Sequence, residues 1–506
     1  MIALTGNDLT FEQMHAVVAH DEKVSLSQFS IERMNASRAV VEKLVASGKT
    51  AYGINTGFGK LASVRISAEQ VRQLQVNLVR SHACGVGESL SRGETRGMIL
   101  LRANALAKGL SGVRPVVVQR LCDMLNAGVH PVIPSQGSVG ASGDLAPLAH
   151  LAQVVIGEGQ AEVQGKILSG ADALKLAGIS PVALEAKEGL SLLNGTQGML
   201  SLLGISLYRA DVLADTADVA ASLSLDALRG SPGAFDARIM QARAYSGAAR
   251  TALNLAHLND GSQIRESHRS SEKDPRVQDA YSLRCTPQVH GAVRDSLLQA
   301  RAMAQVELNS ATDNPLVFVK ENGEGDIVSG GNFHGQPLAM AADQVAIAIA
   351  TLSGISERRI EQMTNPLTSM LPAFLTPEPG LNSGFMIAQV TAAALTSENR
   401  ALATPHSVDS ISTSGNQEDY VSMGMSGARR LDRMLQNLRY ILAIELLCGC
   451  QGIDLLAPLK SGTLATKAYD AVRAKSPKVI ADRPLAPDIN AVSVLVAQEQ
   501  FAKLVR

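Results

Sequence analysis

The sequence predicts a mainly α protein, an elongated helical bundle with long C-terminal helices and a smaller, loop-rich N-terminal part. Three observations carry that expectation. Aromatic residues make up only 3% of the 506, Trp is absent and hydrophobic residues reach 46%. Such an Ala- and Leu-rich composition suits packed helices, whereas sheets favour aromatic and β-branched residues. Long stretches beyond residue 200 also repeat apolar residues at three- and four-residue spacing, and no internal repeat or low-complexity tract interrupts them.

Taken in order, Ile31–Ser47 reads as an amphipathic helix with Val40, Val41, Leu44 and Val45 on one face. Helical patterns follow at 67–81, 92–109 and 115–127, the last with Pro115 placed for the first helical position. After the glycine-rich stretch Gly137–Asp144 comes another helix, Pro147–Ile156. Two strand pairs are expected: Ala161–Val163 with Lys166–Leu168, and Leu316–Val319 with Ile327–Ser329. Four long helices are expected at Pro287–Asn309, Pro337–Met363, Phe385–Ala403 and Gly427–Leu455. In the second of these, Leu338, Ala341, Val345, Ala348, Leu352 and Ile355 form one buried stripe. Many apolar residues off such stripes point to cover by other subunits. The expected division is an N-terminal part, 1–200, and a long-helix part, 201–506.

With 46 Lys+Arg against 47 Asp+Glu, the net charge of −1 argues against nucleic acid or an anionic membrane surface as partner. The start MIALTGNDLTFEQ has neither the basic nor the apolar region of a signal peptide. The uncharged run Gly189–Tyr208 is long enough to span a membrane, but its Asn194, Thr196, Gln197 and internal glycines favour a buried core segment. Five scattered cysteines without a CxxC pair suggest a reduced, cytoplasmic protein, with Cys448 and Cys450 as packing thiols. The histidines show no metal-ligand spacing, so no metal is expected.

The most unusual segment is Gly137-Ser138-Val139-Gly140-Ala141-Ser142-Gly143-Asp144-Leu145-Ala146-Pro147-Leu148. It lacks the phosphate-loop pattern, and Asp144 stands where a nucleophile elbow needs Gly. The plain reading is a flexible connection capped by Asp144. The chemical reading is a ring closure. The Gly143 nitrogen folds back onto the Ala141 carbonyl carbon, and loss of two waters, one from the Ser142 side chain, leaves an imidazolone with an exocyclic methylene. That group is an electrophile, which no common side chain is.

GSVGASGDLAPLAH resembles the signature of the aromatic amino acid ammonia-lyase family, whose members form this 4-methylidene-imidazol-5-one (MIO) from Ala-Ser-Gly. Further motifs fall in the family's order: Tyr52-Gly53-Ile54-Asn55-Thr56-Gly57-Phe58-Gly59, Ser81-His82-Ala83-Cys84-Gly85 and Leu193-Asn194-Gly195-Thr196-Gln197. Val277–Cys285, Gly330-Gly331-Asn332-Phe333-His334 and Asn416-Gln417-Glu418-Asp419 complete the set. The resemblance covers nearly the whole chain. SHACG, TPHSVDS and NQED are most similar to the members that act on histidine. Two positions depart from the pattern: Thr404 before Pro405-His406 and Tyr420 after NQED, where the family more often carries His.

The resemblance implies elimination of ammonia from L-histidine to give trans-urocanate, with the MIO of Ala141-Ser142-Gly143 as the one cofactor and no external one. Removing a β-proton needs a positioned base, for which Tyr52 and Tyr281 are the candidate hydroxyls. A phenol with a reference pKa of about 10 serves near neutrality only beside positive charge or donors. Arg284 would clamp the substrate carboxylate, its plain alternative being an ion pair with Asp279. Asn194 and Gln278 offer amide donors to the ring oxygen or the carboxylate. Glu418 and His82 would satisfy the imidazole nitrogens, which an apolar pocket would leave unpaired at about 1–3 kcal/mol. Phe333 would pack against substrate or ring.

The resemblance also implies a homotetramer whose active sites draw on three chains. A helix of about 30 residues runs roughly 45 Å, so Ser142 and Glu418 are expected to meet from different chains. Alternatives are a phenylalanine or tyrosine ammonia-lyase, an aminomutase, a serine hydrolase using Ser142, or an inactive helical scaffold.

Overall fold

Helix dominates wherever the sequence repeats apolar residues every three or four positions. The computed structural model describes residues 1–48, 51, 53, 54, 56, 66, 67, 70–270, 272, 274 and 276–506. The expected early helices appear as Gln28–Ala46, Val71–His82, Arg92–Ala107, Pro115–Ala127 and Leu145–Val155. Their ends follow local chemistry. Ser91 and Glu94 form a reciprocal capping box at the start of Arg92–Ala107. Pro115 occupies the first turn of its helix, and Gly128 closes it at φ +72°.

The long helices run Thr286–Leu308, Gln336–Thr364, Met386–Leu402 and Gly424–Asp454. A fifth, Gln197–Ala227, has no bounds in the sequence reading. Leu200, Leu203, Leu213, Val219 and Leu223 are all buried, and so are most of the residues between them, so no clear stripe marks its period. Asn194–Thr196 break the uncharged run that precedes it, in keeping with a core segment. Among the described residues one helix, Gln336–Thr364, is long and apolar enough to cross a membrane, and 67% of its apolar window is buried within the protein.

Both expected strand pairs form. Gln160–Val163 pairs antiparallel with Lys166–Ser169, and His130–Pro131 adds a third strand. Leu316–Val319 pairs with Gly325–Val328, two residues earlier than expected at its start, because the turn closes at Gly323, φ +75°. Two further pairs, Ile2–Leu4 with Val24–Leu26 and Val86–Ser89 with Pro134–Gln136, are too short to show alternation in sequence.

The chain forms two compact units that do not follow a cut at residue 200. The first comprises Met1–Ile205, Arg301–Asp343 and Pro405–Arg429; the second comprises Ser206–Ala300, Gln344–Thr404 and Arg430–Arg506. The second is braced by buried ion pairs. Asp218 receives His290 Nδ1 at 2.7 Å and Arg294 Nη2 at 2.6 Å. Arg359 meets Glu445 at 2.5 Å with both side chains fully buried. Cys448 and Cys450 are buried there as packing thiols, and burial pushes the Cys450 thiol up to about 12.

Candidate functional site

Glycine lets the segment 137–144 turn tightly inside the first unit. Gly140 and Gly143 adopt φ of +69° and +70°, and a Cβ on Gly140 would collide with Ser422 Oγ. Two other loops of this unit are pinned onto the segment. The Gly335 nitrogen donates to Gly140 O at 3.2 Å, Ser422 Oγ donates to the same oxygen at 3.0 Å, and Met423 N donates to Val139 O at 2.9 Å. The stretch is therefore tied down, not a flexible connection.

Asp144 does not cap its own helix. Its side chain is fully buried and accepts from Ser138 Oγ at 2.8 Å and from Met199 N, in the first turn of Gln197–Ala227, at 2.8 Å. Burial raises its pKa to about 6 against the lowering effect of these donors. It thus joins the segment to a helix more than fifty residues onward, a role that sequence reading missed.

Asn194 and Gly195 lie alongside Ser142 and Gly143. Gly143 bridges Gly195, Asp144 N donates to Gly195 O at 2.7 Å, and a Cβ on Gly143 would run into the Gly195 backbone. Only glycine fits at position 143. Asn194, almost wholly buried, donates from Nδ2 to the Ser142 carbonyl oxygen at 2.8 Å. In the ring closure written above, that oxygen becomes the ring oxygen, so the amide already sits where an oxyanion donor belongs.

The Ser142 hydroxyl donates to Glu418 Oε1 at 2.8 Å. Glu418 Oε2 receives Thr413 Oγ1 at 2.8 Å and Ser414 Oγ at 2.9 Å, which fix the carboxylate. This corrects the expectation that Ser142 and Glu418 meet from different chains, since both belong to the first unit of one chain. Helix length measures only the outward path, and the 405–429 segment returns to the same unit.

His82 ends the helix Val71–His82 and is half-buried. Its Nδ1 lies 2.9 Å from Leu78 O. A carbonyl only accepts, so Nδ1 carries the proton and Nε2 keeps the lone pair. Burial lowers the His82 pKa below 6.5, partly offset by the Leu78 bond and by the Glu418 charge, which is close enough to act on it. Ser142, Asn194 and Glu418 are therefore in direct contact, and His82 lies within reach of the Glu418 charge. Among the described residues Ser142 has a carboxylate and no His at its hydroxyl, which is not the arrangement of a serine nucleophile.

Phe333, half-buried, lies with Asn332 in a turn that the His334 nitrogen closes onto Gly331 O at 3.0 Å. His334 Nε2 meets Tyr420 O at 3.2 Å, and the two rings stack with centroids 6.1 Å apart. Tyr420, one of the departures from the family pattern, thus steadies the loop that carries Phe333. His406 Nδ1 contacts Ser426 Oγ at 3.0 Å, and its backbone nitrogen donates to Asp343 at 3.0 Å. Tyr52 lies outside the described residues.

Gln278, Tyr281 and Arg284 belong to the second unit. Gln278 is exposed, and Tyr281 is 70% exposed at the start of the short helix Tyr281–Arg284. The Arg284 guanidinium carbon lies 4.6 Å from the Tyr281 ring centroid, which places positive charge beside that phenol. Arg284 does not pair with Asp279; Asp279 instead accepts from Ser231 N at 2.6 Å and pairs with Arg276 at 3.4 Å. Tyr281 also borders a cavity of about 660 Å³ lined in part by Cys285, Ile347, Arg358 and Arg400.

The family model for aromatic amino acid lyase matches residues 9–474. The chain is 55% identical to a histidine ammonia-lyase of Koribacter versatilis, over 99% of each chain. Among solved structures, it is similar to histidine ammonia-lyase from Trypanosoma cruzi, with a TM-score of 0.91, 43% identity and coverage of 100% of this chain and 94% of the other. It is also similar to a tyrosine aminomutase from Streptomyces globisporus, with a TM-score of 0.94, 38% identity and coverage of 100% and 98%.

Proposed function

The chain belongs to the aromatic amino acid lyase family, and we propose that it is a carbon–nitrogen lyase that eliminates ammonia from L-histidine to give trans-urocanate. The observation that carries this reading is the environment of Ser142: an amide on its carbonyl oxygen, a carboxylate on its hydroxyl, and a glycine beside it that tolerates no side chain. These residues fit the MIO of the family. Closure of Gly143 N onto the Ala141 carbonyl carbon, with the Ala141 oxygen and the Ser142 hydroxyl leaving as two waters, balances the atoms. The ring supplies an electrophile for the substrate amine, a poor leaving group on its own.

The remaining chemistry falls to side chains. Asn194 donates to the Ser142 carbonyl oxygen, where negative charge develops. Once the Ser142 oxygen has left, Glu418 Oε1 has lost its donor and is free to accept an imidazole N–H, while Thr413 and Ser414 still hold Oε2. His82 Nε2 offers a second acceptor, and Phe333 packs against the substrate. Tyr52 or Tyr281 removes the β-proton, and the Arg284 guanidinium lies over the Tyr281 ring. Arg284 and Gln278 hold the substrate carboxylate.

We place Gln278, Tyr281 and Arg284 in the active site of another copy of the chain, within a homotetramer. The second unit supports this with an unpaired apolar surface: Leu298, Ile347, Ile387 and Val390 are each more than 50% exposed. Such a face suits burial against other copies. We place the enzyme in the cytoplasm, with a small amino acid as its only substrate partner. Ser142→Ala tests the function. It should fold, as judged by a parental thermal melt, and show no turnover, because Ala has no hydroxyl to eliminate. Near-parental activity would overturn the proposal.

A further inference from the structure

The Asn194 amide can stay on the Ser142 oxygen only if the turn that carries it is fixed, and Arg102 does the fixing. Arg102 has no exposed surface and sits within Arg92–Ala107. Its Nη1 donates to the Asn194 carbonyl oxygen at 2.8 Å and to Gln197 Oε1 at 2.9 Å. Gln197 Nε2 donates onward to Thr312 Oγ1 at 2.8 Å. One guanidinium nitrogen thus spans the turn between Glu188–Leu193 and Gln197–Ala227. The same nitrogen fills the space beside Gly195, where a Cβ would stand 2.5 Å from it.

This is an expensive way to brace a turn. Arg102 Nε and Nη2 are buried without a hydrogen-bond partner among the described residues. Asp313, the carboxylate that acts on Arg102 through its charge, is itself bonded to Lys187 at 3.0 Å, Ser111 at 3.0 Å and Ser191 at 3.0 Å. Removing Arg102 would leave the buried Asn194 carbonyl and Gln197 Oε1 without this donor, which gives stability one reason to keep it. Its position gives another: the charge lies behind Asn194, whose amide faces the Ser142 oxygen.

We propose that Arg102 is a positioning residue, which locks Asn194–Gly195 in register with Ser142–Gly143 and lends positive charge behind the Asn194 amide. The inference rests on the ring-forming reading of Ala141–Gly143. It is tested with Arg102→Met, Arg102→Lys, Asn194→Ala and the corresponding double variants. Each is assayed for thermal melt, intact mass, kcat and KM, with kcat normalised to the fraction of chains that have lost two waters. Arg102→Met should lower that kcat by about 10²-fold, the scale of one oxyanion donor, with KM changed by less than about threefold. Added to Asn194→Ala, it should cost no more than about twofold further, because Arg102 acts through Asn194.

A merely structural role would move the melt but leave the two kinetic losses multiplying. Arg102→Lys keeps the charge with a narrower reach, and it carries the same cycle if Arg102→Met does not fold. Losses that multiply, or a normalised kcat that is unchanged in a folded Arg102 variant, overturn the inference. A parental chain that has lost no water would overturn the ring reading instead, so the two failures are distinguishable.

Discussion

Truncating Glu418 to Ala separates substrate recognition from the rest of the chemistry. In the structure the carboxylate receives three hydroxyl donors, with Ser142 on one oxygen and Thr413 and Ser414 on the other. In the proposed function the substrate imidazole N–H takes the place of the Ser142 hydroxyl on Oε1, while Thr413 and Ser414 keep Oε2. A hydrogen bond to a charged group contributes about 1.5–3 kcal/mol. At about 1.4 kcal/mol per tenfold, its loss predicts a fall of about 10- to 150-fold in kcat/KM for histidine. Phenylalanine has no ring N–H, so side activity on it should fall far less. The assay follows the conjugated acid product by absorbance with each amino acid. Intact mass must show that Glu418→Ala has still lost two waters, because the same carboxylate touches the Ser142 hydroxyl. Equal fractional losses on both substrates would remove Glu418 from imidazole recognition and assign it to proton transfer.

Other expectations follow from the same geometry. Gly143→Ala drives a Cβ into the Gly195 backbone at a positive φ, so it should retain its translated mass and show no turnover; a two-water loss in this variant contradicts the close approach. Mixed oligomers of Ser142→Ala with Arg284→Ala should regain partial activity, whereas Ser142→Ala with Glu418→Ala should regain none, since those two groups share a chain; the reverse pattern refutes the assignment. His82 has a folded-state pKa below 6.5, so the fold favours its neutral ring, and stability is lost as pH falls from 6.5 through that lower value. The acid limb of kcat/KM due to His82 should therefore lie below 6.5 and be absent in His82→Asn; a limb unchanged in that variant removes His82 from the ring pocket.

Legibility in the sequence followed the reach of each signal. Ala141-Ser142-Gly143, Asn194, His82 and Glu418 were named from motifs, and the structure brings Ser142, Asn194 and Glu418 into direct contact. The chain membership of Glu418 was misjudged because linear distance along helices does not show that 405–429 folds back to the unit that holds 137–144. Asp144 looked like an ordinary helix cap, since its real partner, Met199 N, is a backbone group with no side-chain signature. Arg102 left no trace. One Arg in a helical pattern reads as a solvated side chain, and only packing shows it buried against Asn194. Gln197–Ala227 is similarly obscured, because a helix buried on nearly every side has little periodicity to read.

The central claim is that Ala141, Ser142 and Gly143 close into a ring. Intact mass of the purified chain, with peptide mapping across 137–148, tests it most directly. The expected result is a chain lighter than its translated sequence by two waters, with the loss confined to the Ala141–Gly143 peptide. An active chain with its full translated mass, Ser142 intact, would contradict it.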